Sequence, residues 1–514
     1  MKRAQSAILA ATCATLTMVL AMFVGRFTLG TPLIPELIAQ QIFALVPLWL
    51  FTPIIRLLGF WAKWLAFALA IVGYMAGGIA LGWGYAGWRA RSQRVPSIAM
   101  ACLFGMAIWF AVMTVGLPLL GVGFFGVRLR GGVWAGSGGL LALHLLYGVL
   151  LGWLAPVAMA ADRAQQPSQA ASFRLGRRAL LRSFVGLPML GLVTAAAAQL
   201  CLTVAARLAS ASGLMFEAVK GLASEITPTA KFYTISIAMF DPSVNPRTWR
   251  LKIHGLVEKP LSLTLDDLKA MPAYEAYVTF LCISNEIGGR LIGNALWTGV
   301  ALQDLLAMAG VKEGARKVVF RADDGYSTGV PLERCLRPQT FLAYAMNGDA
   351  LPREHGFPLR AVIPGYYGMK QPKWLTEIEV VDHDYLGYWE ERGWADEAVV
   401  KTMSRIDVPP HRGRVPLTGE VIAGVAFAGD RRIASVEYSI DGGQTWREAQ
   451  MKPALSPYTW VLWGANLDLP HEGEYVLAVR ATDGQGHKQD ARVAEPLPDG
   501  ASGYHKLRIK TTHA

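Results

Sequence analysis

Paired cysteines are what this sequence most plainly lacks. Its five, Cys13, Cys102, Cys201, Cys282 and Cys335, form no CxxC pair, and three lie inside apolar runs. A disulfide framework and a structural zinc site are therefore not expected. Histidine is scarce where a membrane haem would need it. Of nine histidines only His144 falls within an apolar run, so the two imidazoles of a bis-histidine haem b are missing and no haem is expected. His144 itself reads as a helix-packing residue or as an intramembrane contact for a proton or a quinone. Charge is thin as well, at 17% of residues against 53% hydrophobic, and the mean hydropathy of +0.32 is too apolar for a wholly soluble chain of 514 residues. The formal net charge of +11 comes with no nucleic-acid motif; in the first half the basic residues cluster between apolar runs, as cytoplasmic loops do.

What is present divides at about residue 206. Apolar runs near 5–25, 36–58, 64–86, 97–120, 138–160 and 180–206 approach the roughly 20 residues that a helix needs to cross a bilayer core. Five or six spans are expected, because only Gly59 to Lys63 separates the second run from the third. Arg89, Arg91 and Arg94 mark one cytoplasmic loop, and Arg163, Arg174, Arg177, Arg178 and Arg182 mark another. The last span then delivers the remainder to the outer side, the periplasm in a Gram-negative bacterium. Lys2 and Arg3 favour an inside N-terminus, whereas six spans place it outside. Arg177-Arg178 reads in two ways. It is a degenerate twin-arginine export signal, suited to a domain that folds around a cofactor before crossing, or it is simply a cytoplasmic helix end.

Residues 207–228 suit a juxtamembrane linker, and a globular pattern follows. Trp249, Leu251 and Ile253 alternate with Arg250, Lys252 and His254 as in a half-buried strand ending at Gly255. Thr264 caps a short helix over Leu265–Ala270, and Gly310 stops another over Leu302–Ala309. Strand-like runs at Lys317–Arg321, Leu359–Ile363 and Leu375–Val381 make the class α+β. Beyond about Pro409, short strands separated by turns such as Asp441-Gly442-Gly443 have the spacing of an immunoglobulin-like β-sandwich, suited to packing or oligomerisation. Within YVTFLCISNEIGGRLIGNALWTGV, Cys282 ends an apolar strand just before a polar glycine-bearing turn. Such a thiol is either a small buried hydrophobe or a sulfur presented at the strand-to-loop junction.

The segments FYTIS, TWRLKIHGLV, LTLDDL, FLCISNEIGG, ALWTGVALQDLLAMAG, DDGYS, LAYAMNGDALPREHGFPLRAVIPGYYGMKQPKWL and GYWEERGW occur in one collinear series. Over about residues 230–406 that series resembles the molybdopterin-dependent sulfite oxidase family, and the multi-span first half resembles that family's membrane-anchored bacterial members. The region after that series resembles the same family's dimerisation domain. The resemblance divides the chain into a membrane domain (1–206), a linker (207–228), an α+β molybdopterin domain (229–408) and an immunoglobulin-like dimerisation-type domain (409–514). It implies a molybdenum–molybdopterin cofactor and two-electron oxygen-atom transfer on a small substrate, at a bacterial inner membrane with the catalytic domain on the periplasmic or outer side.

Roles follow for particular positions. Cys282 matches the molybdenum ligand, a thiolate suited to a soft-donor metal site. Tyr233 and Thr234 match the segment that approaches the pterin. His355 and Arg360 match the pair holding the cofactor's phosphate end, for which an arginine fork is apt. Gln371 and Lys373 match the phosphate-binding turn, with Gly365 and Gly368 permitting close backbone approach. Tyr326 lies where the family carries an active-site tyrosine, and Cys335 reads as structural. FYTIS lacks the substrate arginine of animal sulfite oxidases, which leaves Arg290, Arg392 and Arg405 as candidates. An S-oxide or N-oxide reductase of the same family and a non-catalytic membrane-tethered binding protein stay open, as do a cytochrome or quinone as electron partner and a homodimer. No nucleic acid is implied.

Overall fold

The computed structural model describes residues 2–28, 31–46, 50, 54, 57–58, 61–91, 98–127, 132–164 and 216–511, and the chain falls into two compact units that divide near residue 184. The expected run 180–206, with Arg177, Arg178 and Cys201, lies outside the described residues.

In the first unit four helical segments are long and apolar enough to cross a membrane: Ala7–Thr28, Trp61–Trp88, Ile98–Leu119 and Gly136–Leu154. The expected second run is described only in part. Its described helix, Ile34–Leu45, has only 12 residues and ends where Val46 turns extended, too short for a span. Polarity explains part of this, since Glu36 in its first turn is buried and pairs with Arg26 at 3.0 Å. Small residues bring the apolar helices together. A Cβ on Gly148 would lie 2.5 Å from the Ala101 carbonyl, and one on Gly105 2.3 Å from that of His144, so these two backbones touch as small-residue helix pairs do. His144 is buried there, with Nδ1 2.7 Å from the Leu140 carbonyl.

The second unit opens with strands β1 (Leu251–Gly255), β2 (Leu261–Leu263), β3 (Tyr274–Leu281), β4 (Ile292–Ala301), β5 (Lys317–Ala322), β6 (Ser327–Pro331), β7 (Phe341–Met346), β8 (Asp349–Ala350), β9 (Arg360–Val362) and β10 (Leu375–Val381). One sheet runs β2-β1-β10-β5-β6, with β1 and β10 parallel; the other runs β3-β4-β7-β8, with β9 on β7. The alternation in β1 works as its sequence implies, burying Leu251 and Ile253 and exposing Lys252. Both short helices form. Thr264 and Asp267 make a reciprocal capping box, and Gly310 closes Leu302–Ala309 in the left-handed conformation. Leu302, Leu305 and Leu306 join Ile253, Phe320 and Ile378 in the core.

The C-terminal region packs two sheets over a shared core. Met403–Val408, Glu420–Phe427 and Val461–Leu467 supply Ile406, Ile422 and Trp463 from one side. Ile433–Ser439, Glu474–Asp483 and His505–Thr511 supply Val436, Leu477 and Ile509 from the other. A further cluster joins this region to the first pair of sheets, with Leu281, Ile283 and Met369 against Val425, Phe427 and Trp460.

Candidate active site

The site begins where β3 stops. β3 and β4 pair in register from Tyr274↔Gly299 to Leu281↔Ile292, and the intervening loop is then held shut by its own polar groups. The Cys282 amide donates to the Leu291 carbonyl (2.9 Å), the Asn285 amide to the Cys282 carbonyl (3.0 Å), and the Leu291 amide to Asn285 Oδ1 (2.8 Å). Cys282 is buried, with Sγ 3.0 Å from Ser284 Oγ. Burial pushes its thiol above the usual cysteine range, and the Ser284 hydrogen bond offsets part of that shift.

Two further segments face this sulfur. Tyr233 lies beside Cys282 and Arg360: burial and then Cys282 raise its phenol well above the usual value, while Arg360 works the other way. Gly368 makes room for it, since a Cβ there would sit 2.9 Å from the Tyr233 hydroxyl. Tyr326 is buried, and its hydroxyl donates to the Met369 carbonyl at 2.5 Å. Burial, then Glu390, Asp324 and Cys282, keep that phenol neutral. Its single hydrogen is thus committed, so donation to an oxyanion requires release of Met369.

Arg360 is the least ordinary residue here. Its guanidinium is buried with Cζ 4.5 Å from the Phe280 ring and 4.9 Å from Trp297, two rings stacked 4.7 Å apart. Nη1 donates to the His355 carbonyl (3.0 Å) and Nη2 to that of Gln371 (3.2 Å), but the buried Nε has no partner among the described residues. Burial lowers its pKa to about 9, partly restored by Tyr233. A cation taken out of water without a counter-charge is costly, and an anionic group would relieve it. The phosphate end of a pterin cofactor fits this requirement. The unpartnered donor and the buried thiol together meet what the molybdenum cofactor needs from a protein.

The remaining sequence-derived candidates divide. His355 is buried, its Nε2 donates to the Thr229 carbonyl (3.0 Å), and burial holds it neutral. Gln371 acts on backbone: its side chain accepts from the Ile363 amide (3.0 Å) and donates to the Tyr366 carbonyl (3.0 Å), while its own carbonyl orients Arg360. Lys373 donates to the Glu354 carbonyl at 3.0 Å and lies over Trp374. Thr234 is exposed. Among the three arginines, Arg290 is exposed and Arg405 is engaged by Asp407 (2.6 Å) and the Gly289 carbonyl (2.8 Å). Arg392 is different. Its buried Nε has no partner, Nη1 donates to the Tyr388 carbonyl (2.5 Å), and its Cζ lies 3.7 Å from the Tyr388 ring, itself 6.0 Å from that of Tyr326.

Sequence reasoning missed Lys370 and Glu390, both buried and paired at 2.5 Å. In GMKQPKW nothing marks which lysine turns inward. It also missed His505, which accepts from the Ile406 amide through Nδ1 (3.0 Å) and lies under Gly288, where a Cβ would come within 2.3 Å of its ring. Gly288 has φ +75°, so the cysteine loop needs glycine there twice over.

Residues 238–389 match the family model described as an oxidoreductase molybdopterin binding domain, and residues 397–511 match a Mo-co oxidoreductase dimerisation domain. Mitochondrial sulfite oxidase of Rattus norvegicus is 32% identical over 319 residues, 53% of this chain and 58% of its own length. The chain thus spans little more than half of that relative. Sulfite oxidase of Gallus gallus is 30% identical over 319 residues, 52% of this chain and 69% of its own. The oxidoreductase YuiH of Bacillus subtilis is 40% identical over 146 residues, 28% of this chain and 72% of its own. Among solved structures, the sulfane dehydrogenase SoxCD of Paracoccus pantotrophus shares the fold with a TM-score of 0.50 at 24% identity, over 67% of this chain and 95% of that one.

Two outcomes are expected. Arg360→Lys, which keeps the charge and loses the fork, lowers pterin content of the purified protein at least about tenfold, measured by fluorescence of the oxidised pterin. His505 is depressed to about 4, chiefly by burial and then by Arg405. The unfolded chain therefore binds a proton from about pH 6.5 downward while the folded one does not, so stability is lost as pH falls from about 6.5 to about 4. The loss attributable to His505 is about 3 kcal/mol, and His505→Gln flattens that part of the profile in denaturant titrations.

Proposed function

The chain belongs to the sulfite oxidase family of molybdenum-cofactor oxidoreductases, and from that premise we propose that it is a membrane-anchored enzyme transferring an oxygen atom on a small oxyanion. The observation that carries the substrate class is Arg392, whose buried Nε lacks a partner beside Tyr388 and Tyr326. A sulfite-like anion supplies the missing counter-charge, whereas a neutral S-oxide leaves it missing. This favours the sulfite-oxidase direction over the reductase. A non-catalytic binding role leaves the buried Cys282 and the uncompensated Arg360 without a purpose.

When bound, the molybdenum–molybdopterin group supplies two-electron redox chemistry and oxygen-atom exchange. The protein's part is to hold and orient. Cys282 is the residue that would hold the metal, through its thiolate sulfur. Arg360, fixed by the His355 and Gln371 carbonyls, would hold the cofactor's phosphate, and Tyr233 would contact the pterin. Tyr326 stays neutral and closes one wall, and Arg392 draws the substrate anion toward it. The 388–392 turn is pinned to β6 through the Tyr388 amide on the Ser327 carbonyl (2.9 Å), which keeps Arg392 and Tyr326 in one patch.

The proposal keeps the division at 1–206, 207–228, 229–408 and 409–514. The apolar helices lie in a bacterial inner membrane, with the catalytic part on the periplasmic side. Electrons pass to a cytochrome or a quinone. The two packed C-terminal sheets are taken as immunoglobulin-like and as the surface of a homodimer.

The reading is tested by metal and pterin analysis of the detergent-purified full chain beside Cys282→Ser. Roughly one molybdenum per chain is expected, with an electron paramagnetic resonance signal altered in the variant. Absence of molybdenum in protein from a cofactor-competent, export-competent host overturns it. Arg392→Met is expected to raise KM for sulfite about 10- to 100-fold, as loss of a hydrogen bond to a charged group does, with a smaller change for a neutral S-oxide. Equal effects on both substrates would remove Arg392 from anion recognition.

A further inference from the structure

Oxygen-atom transfer in the oxidising direction converts reduced substrate and water into oxygenated substrate, two protons and two electrons. The two electrons go to two one-electron haem acceptors or to one quinone, which takes both. The protons start in a buried site and must reach water.

Behind Tyr326 lies a ladder of alternating acids and amines. The Tyr326 hydroxyl bonds to the Met369 carbonyl, and the next residue, Lys370, has a side chain 0% exposed. Its ammonium donates to Glu390 Oε1 (2.5 Å), Asp396 Oδ1 (2.9 Å) and the Gly329 carbonyl (2.9 Å). The Glu390 side chain is 1% exposed; Oε1 also accepts from the Thr328 hydroxyl (2.6 Å), while Oε2 is buried with no donor among the described residues. Asp396 Oδ2 accepts from Lys317 Nζ (2.7 Å), and Lys317 also pairs with Asp384, whose side chain is 70% exposed. The chain of contacts therefore runs unbroken from beside Tyr326 to solvent.

Its charges do not cancel. Glu390, Asp396 and Asp384 face two ammoniums, Lys370 and Lys317, leaving one negative charge in excess. One added proton neutralises the set, and the donorless Oε2 of Glu390 is where it can sit. We propose that Glu390, Lys370, Asp396, Lys317 and Asp384 form a proton-exit path from the active site, with Glu390 as its inner acceptor. This rests on the oxygen-transfer reading above.

The groups facing each member are consistent with passage. Glu390 meets Lys370, Thr328 and the neighbouring Tyr326, and Arg392 follows it by two residues. Asp396 meets Lys370 and Lys317; burial acts to raise it, and the two lysines hold it below the usual carboxylate value, so it relays protons rather than storing them. Lys317 meets Asp384, Asp396 and the Tyr385 carbonyl, and the Tyr385 hydroxyl accepts from Arg321.

The test uses the molybdenum-loaded full chain. Glu390→Gln keeps the shape and removes the acid. Its molybdenum content and KM should match wild type, while kcat, assayed well below the variant's lowered thermal midpoint, falls about 10- to 100-fold, at or below the low end of general acid–base effects. The solvent deuterium isotope effect on kcat should rise, and small weak acids such as formic acid should restore part of the rate. Infrared difference spectra of wild type on lowering the pH should contain a carboxylic-acid carbonyl band that shifts in heavy water and is missing from the variant, with or without cofactor. Asp384→Asn, at the exposed end, should also raise the isotope effect without touching the fold. Unchanged kcat and isotope effect in both variants would overturn the path. So would a fall in kcat that tracks the thermal midpoint and resists weak acids, since a mere brace behaves so. A wild type without molybdenum or oxygen transfer would instead sink the proposed function, and the infrared band would still report on Glu390.

Discussion

A guanidinium held out of water with no carboxylate beside it is the constraint around which this site is arranged. Arg360 sits on the stacked faces of Phe280 and Trp297, and only backbone carbonyls receive its protons. Burial drags its pKa down, the signature of a cation waiting for an anion. Holding it demands that β3 and β4 bring the two rings into register and that β9 bring the arginine across from β7. The same strand β3 ends in Cys282, so one register decision sets the thiol and the cationic slot together.

Lys370 solves the same problem in the opposite way. It is equally buried, but carboxylates on two sides compensate it. The contrast separates a cation that belongs to the protein's own network from one kept for a ligand. Breaking either is costly, because each leaves a buried charge without its partner. Only Arg360 and Arg392 carry a buried guanidinium Nε with no partner among the described residues, and both lie at the candidate site.

The C-terminal sheets contribute more than bulk. His505 fits under Gly288 and fixes the loop that follows Cys282, and Val425, Phe427 and Trp460 close the apolar seam against Leu281 and Met369. The thiol's loop therefore depends on packing supplied more than 100 residues away in sequence. In the first unit, glycines at helix contacts do comparable work, because they let the Gly105 and Gly148 backbones approach their neighbours closely enough to gain dispersion contacts.

Local chemistry was enough for the sequence to determine the apolar helices, the capped turns at Thr264 and Gly310, the period-two strands and the strand-end position of Cys282. Each depends on neighbours a few residues away. The collinear motifs further named the family, and with it Cys282, Tyr233, Tyr326, His355 and Arg360. Two readings needed the folded chain to refine them. The run at 36–58 counts as apolar by composition, but Glu36 finds Arg26 and the described helix stops at Leu45. Gln371 and Lys373 share a turn with Lys370, and only the folded chain shows that Lys370 points inward while Gln371 braces backbone. Which arginine stays uncompensated was likewise a tertiary matter. Arg405 meets Asp407, Arg392 meets only a carbonyl and a tyrosine face, and no linear pattern encodes which partner the fold will supply.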